Sequence, residues 1–175
     1  MIPATPTARP WRLVIMAIVA AAVVSGAERV HAGSATATLA VSATVINNCT
    51  ISTAAVAFGA YDPVVANASA NLDSTGSITI ACTKGATATI GLNAGSNASG
   101  SSRRLADGTA NYLSYEIYKD ASRASVWGNA GADLYSPPAA PNKSPRTFTA
   151  YARVTSNQDV PAGAYGDTIT ATVNF

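Results

Sequence analysis

Residues 34–45 read SATATLAVSATV, apolar and polar side chains in near-regular alternation. Ala35, Ala37, Leu39, Val41, Ala43 and Val45 fall on one side of an extended chain. Thr36, Thr38, Ser42 and Thr44 fall on the other, with Ala40 neutral between them. A two-residue repeat marks a β-strand with one buried face. No turn ties the segment to a neighbour, and Asn47-Asn48 interrupts it just before Cys49. Its local sequence therefore leaves open which sheet it completes.

The residues before it have the make-up of an export signal. Arg9 and Arg12 give a basic start, Leu13 to Val24 is an uncharged apolar run, and Val30-His31-Ala32 offers a small-residue cleavage site. This pattern predicts a signal peptide over residues 1–32 and a mature start near Gly33. The apolar run is shorter than the roughly 20 residues a membrane span needs. Cleavage would remove Arg9, Arg12, Arg29 and Glu28, leaving as many basic as acidic residues in a chain whose full net charge is +2. No basic patch then suggests nucleic acid or an anionic membrane as partner.

Roughly 140 residues remain, enough for one domain with a core. Alternation recurs through them. Ile78, Ile80 and Cys82 share a phase in 77–83; Ala88, Ile90 and Leu92 in 86–93; Leu113, Tyr115 and Ile117 in 111–120. Phe148, Ala150, Ala152 and Val154 do so in 147–154, and Ile169, Ala171, Val173 and Phe175 in 168–175. A further short strand is expected at 56–63, with loops at 65–76, 94–108 and the proline-rich 136–145. Helical periodicity of useful length is missing. Short alternating strands with turn-rich links predict an antiparallel β-sandwich.

Cys49 and Cys82 are the only cysteines. In an exported chain a disulfide between them is the expectation, with both sulfurs facing the core. Catalytic equipment is sparse. His31, the only histidine, would leave with the signal, which excludes Ser/His and Cys/His arrangements and a zinc site. Glu116 would be the only glutamate, on an outward strand face, and the aspartates sit mostly in turns, where capping is the ordinary role. No enzyme activity, cofactor or metal is expected. Trp127 with Tyr112, Tyr115 and Tyr118 would serve a sugar platform, but packing is the commoner use of such residues. Arg103-Arg104 reads as solvated loop charge.

Three stretches, in this order behind a signal, carry a family resemblance: the alternating N-terminus running into NNCTI, the segment YLSYEIYKDASR, and the closing AGAYGDTITATVNF. The chain resembles the spore coat protein U family, in particular subunits of archaic (Csu-type) chaperone–usher pili. The resemblance implies an incomplete immunoglobulin-like antiparallel β-sandwich, completed by a donated strand. Residues 33–46 would be the donor extension and 47–175 the pilin domain. Leu39, Val41, Ala43 and Val45 would enter the groove of a neighbouring subunit, a form of β-strand addition. Ile169, Ala171, Val173 and Phe175 would line this chain's own groove and face the chaperone. The implied partners are a periplasmic chaperone, an outer-membrane usher and neighbouring pilins, with passage through the periplasm to a cell-surface fibre that supports adhesion or biofilm formation. The rival reading is a self-contained secreted β-sandwich, spore-coat-like or carbohydrate-binding, in which residues 35–45 pair within their own sheet.

Overall fold

The computed structural model describes residues 30–175, so the expected signal peptide lies outside the described residues up to residue 29. The chain divides after Ser42. In the first part, the described residues 30–42 carry no helix or strand and are exposed throughout. The second part, Ala43–Phe175, holds every assigned strand. These are β1 Cys49–Ala54, β2 Leu72–Cys82, β3 Thr89–Leu92, β4 Arg103–Ala106, β5 Tyr112–Tyr118, β6 Arg146–Val154 and β7 Ala171–Asn174, with one 3-10 turn at Gly131–Asp133.

The architecture is all-β, an antiparallel sandwich of immunoglobulin-like type. One sheet has the order β1-β2-β6-β5-β4 and the other pairs β3 with β7. A bridge from Ile90 to Tyr135 adds a third segment beside β3. Alternation places the core as expected. Ile78, Ile80, Ile117 and Val154 from the larger sheet meet Ile90 and Leu92 from the smaller. Trp127 is 0% exposed, stacks on Tyr135 at 4.9 Å and donates its indole N–H to the Ile90 carbonyl at 2.9 Å. It is a core anchor, not part of a sugar platform.

The structure corrects the expected elements in three places. Residues 56–63 form no strand. β1 ends at Ala54, where Gly76 of β2 allows a close approach: a Cβ there would lie 2.7 Å from Val56 Cγ2 and 2.8 Å from the Ala54 carbonyl. Beyond that point Ser74 Oγ donates to the Ala57 carbonyl at 2.6 Å, so one side chain replaces the ladder. Within the expected loop 65–76, Leu72–Gly76 extends β2, because the long β6 supplies partners as far as Leu72↔Val154. In this extension Asp73 lies directly opposite Arg153 and accepts from its Nε and Nη2 at 2.7 and 2.9 Å. The expected loop 94–108 contains β4, paired with β5 from Arg103↔Tyr115 to Ala106↔Tyr112.

Candidate functional site

Each sheet ends in a strand with one bare edge on the same side of the sandwich. Among the described residues, β1 pairs with β2 and β7 with β3, and neither has a second assigned partner. Bonded neighbours show which backbone groups are spent. The Asn48 carbonyl accepts from Thr83 N–H at 2.9 Å, so even-numbered β1 residues face β2. By strand alternation, Cys49, Ile51 and Thr53 turn their peptide groups to the open edge. On the other side, the carbonyls of Thr168 and Thr170 accept from Ser96 and Asn93. Ile169, Ala171 and Val173 therefore face away from β3 with both N–H and C=O.

Between these edges lies a groove. It holds a cavity of about 280 Å³, walled by Thr53, Ala54, Ala55, Val56 and Phe58 on one side and Asp167, Thr168, Ile169 and Ala171 on the other. Ile78, Leu92, Tyr115, Ile117 and Ala150 form its floor. Past the start of β7 it continues into a second cavity of about 550 Å³, between the 56–63 segment and the 160–167 loop. Val56, Phe58, Leu105 and Asp167 line both.

Two polar clusters hold the groove's frame. Asp167 accepts from Tyr115 Oη at 2.7 Å, Asn97 N–H at 3.1 Å and Thr168 N–H at 2.8 Å, tying β5 to the approach of β7. Gly95, at φ +90°, makes room for this carboxylate: a Cβ there would stand 1.9 Å from Asp167 Oδ2. Burial, reinforced by the hydrogen bond to Asp167, pushes the Tyr115 phenol well above its usual range, so it remains a donor. The second cluster centres on Arg103, 3% exposed, which donates to the carbonyls of Asn93, Leu92 and Trp127 and pairs with Glu116. The expectation of a solvated loop charge fails at Arg103. No local pattern marks the role, because its acceptors are carbonyls of distant residues.

The sequence-derived site residues fall as follows. Cys49 and Cys82 form a disulfide with an S–S distance of 2.07 Å. They oppose each other at a non-hydrogen-bonded position of the β1–β2 ladder, where strands approach most closely, and their Cα atoms are 4.1 Å apart. Ile169 and Ala171 line the groove; Val173 packs against the core farther along, and Phe175 is 54% exposed. Leu39, Val41 and Val45 are 85%, 88% and 83% exposed, and Ala43 is exposed with them. The arrangement thus offers an apolar trough, two unspent strand edges and a carboxylate whose acceptor positions are taken. That is equipment for receiving an extended chain.

Comparisons with known proteins bear on this geometry. A family model described as Spore Coat Protein U domain matches residues 35–172. Protein U of Myxococcus xanthus is 37% identical over 175 residues, covering 92% of this chain and 96% of that protein. Among solved structures, similarity is found to the CsuC–CsuE chaperone–tip adhesion subunit pre-assembly complex from archaic chaperone–usher Csu pili of Acinetobacter baumannii. The TM-score is 0.56 at 24% identity, over 75% of this chain and 41% of the matched one. The chain spans about two fifths of the length of that solved chain.

Proposed function

The chain belongs to the Spore Coat Protein U domain family, and on that premise we propose that it is a structural subunit of a chaperone–usher surface fibre. Residues 1–32 direct export, 33–46 form the donor extension and 47–175 the acceptor domain. A periplasmic chaperone covers the groove in transit. At an outer-membrane usher, Leu39, Val41, Ala43 and Val45 of the next subunit take its place. The fibre then supports adhesion or biofilm formation at the cell surface, a structural and not a catalytic task.

One observation carries this reading: bare edges on β1 and β7 flank an apolar groove, while the same chain carries an exposed, alternating apolar segment ahead of β1. A strand laid between the edges would satisfy the free peptide groups of Ile169, Ala171 and Val173 and bury its own apolar face. Left open, such a groove is an aggregation hazard, which accounts for a chaperone.

Unboiled fibre material should run as a ladder in SDS and collapse to one band on boiling. Val41→Asp, or deletion of residues 33–44, should abolish the ladder and leave a chaperone-bound subunit. A soluble, folded monomer that needs neither chaperone nor these residues would reject the proposal.

A further inference from the structure

Ile46, Val64 and Val65 are 74%, 81% and 75% exposed. Among the described residues between Ile46 and Asn174, these are the large aliphatic side chains that the domain leaves in water. Both places are held by built structure. Asp62 Oδ1 accepts from the N–H groups of Val64 and Val65 at 2.9 and 3.1 Å. Asn67, 5% exposed, accepts from Asp62 N–H at 2.9 Å and donates to the Ala70 carbonyl at 2.9 Å. Its own carbonyl accepts from Asn157 N–H at 2.8 Å, which ties this turn to the loop after β6. The valine pair forms the tip of the turn. At the other place, Thr83 Oγ1 donates to the Ile46 carbonyl at 3.1 Å and Thr83 N–H to the Asn48 carbonyl at 2.9 Å.

The two places lie at opposite poles of the domain. β2 runs from Leu72 to Cys82, roughly 33 Å. Thr83 holds Ile46 beside Cys82. The valine turn is held beside Leu72, through Ala70 and through Asn157, which lies just past Val154, the partner of Leu72. We infer that these poles meet in the fibre: the Val64-Val65 tip of an accepting copy packs against Ile46 of the copy that donates to it. This inference rests on the strand-donation reading above. A donor laid parallel to β7 brings its domain to the Cys82 pole of the accepting copy, where that copy's own extension leaves, and the two compete for one place. A donor laid antiparallel to β7 ends beside Ile169 and Asp167, where the groove approaches Leu72, and leaves the Cys82 pole free. This is the head-to-tail contact that propagates an open fibre. Only Ile46, Asn47 and Asn48 separate Val45 from Cys49, a reach of roughly 13 Å. The donating domain is therefore set against the Leu72 pole. Ile46 points to the face opposite Val45, so it stays outside the groove when Val45 enters. Pro63 lines that end of the groove, and the exposed valine pair follows it directly. Contact among the three side chains removes apolar surface from water on both copies. The occupant of the valine tip is thus a second copy of this chain.

The test is cross-linking in the assembled fibre, with one new cysteine per copy. Copies carrying Ile46→Cys are assembled with copies carrying Val64→Cys or Val65→Cys and mildly oxidised. Lys143→Cys is the control, because it lies just ahead of Arg146, which pairs with Ile80 near the Cys82 pole. The expected result is a linked pair between copies from position 46 to 64 or 65, and none to 143. Ile46→Asp, or Val64→Asp with Val65→Asp, should keep the SDS ladder and widen the spread of angles between successive domains in electron micrographs. Linking to 143 in place of the valine positions, no linking in fibres that still give the ladder, or an unchanged spread of angles overturns the inference while strand donation stands. Absence of any ladder from the unaltered chain removes strand donation itself and this joint with it.

Discussion

Arg103 donates from Nη2 to the carbonyls of Leu92, Asn93 and Trp127, from Nε to Asn93 again, and from Nη1 to Glu116. Removing it strands buried carbonyls and half of an ion pair, which costs more than the hydrogen bonds contribute in net terms. Arg103→Met should lower unfolding stability by about 3 kcal/mol, and lysine, lacking the guanidinium fork, should restore little of it. The midpoint of chemical denaturation, measured beside the parent, checks both; an unchanged midpoint for the methionine variant would contradict this account. Turn carboxylates make the second prediction at this scale. Hydrogen bonds from the Thr109 hydroxyl, Asn111 and the Thr109 amide hold Asp107 down to about 2, and those from Ser122, Ser125 and Ala124 hold Asp120 down to about 2. Arg153 lowers Asp73 in the same direction. Depressed carboxylates contribute stability that is present above their ordinary value of 3.8 and lost as pH falls through the folded value. Denaturation midpoints should hold steady above about pH 5 and fall between about pH 4 and pH 2. Asp107→Asn with Asp120→Asn should flatten that fall. Capping by these residues was legible because Asp before small polar residues is a turn signal. The role of Arg103 was not, because it depends on which distant carbonyls the sandwich brings within reach.

The bridge between β1 and β2 acts at the scale of elements. β1 is an edge strand with partners on one side only, and the disulfide pins its first residue opposite the last residue of β2. Replacing Cys49 and Cys82 by alanine should cost roughly 3–4 kcal/mol, chiefly by freeing the unfolded chain. Reductant should shift the denaturation midpoint of the parent and leave that of the double variant unmoved. Strands whose apolar phase faces a core were legible in advance: β5 and β6 lie where Leu113-x-Tyr115-x-Ile117 and Phe148-x-Ala150-x-Ala152-x-Val154 put them. Elements defined by their partners were not. β4 hides in a Gly/Ser-rich stretch because Arg103 replaces an apolar side chain on its inward face. The first part of β2 reads as loop because its partner is β6, far along the chain, and its binding residue is Asp73, a poor strand former. Residues 56–58 mislead in the opposite sense. Val56 and Phe58 alternate and do pack inward, but the chain has left the ladder at Ala54.

For the whole molecule, the decisive property is a mismatch between two halves of one sequence. The domain ends its sheets at β1 and β7 with a groove between them, and the chain ahead of β1 alternates apolar and polar residues. Alternation at Leu39, Val41, Ala43 and Val45 marks a segment with the period of a strand. Nothing local could show in which copy it pairs, because a donated strand and an intramolecular one need the same period. The groove was legible only through resemblance, since a missing strand leaves no residues to read. Its frame, Tyr115 to Asp167 to Asn97, needed coordinates. Strand donation is tested most directly by electron cryomicroscopy of the assembled fibre, following the backbone of residues 39–45. This segment should lie as a strand between β1 and β7 of the adjacent copy, bonded to the free peptide groups of Ile169, Ala171 and Val173. Finding it in the groove of its own domain, or outside any sheet with both edges bare, would contradict the account.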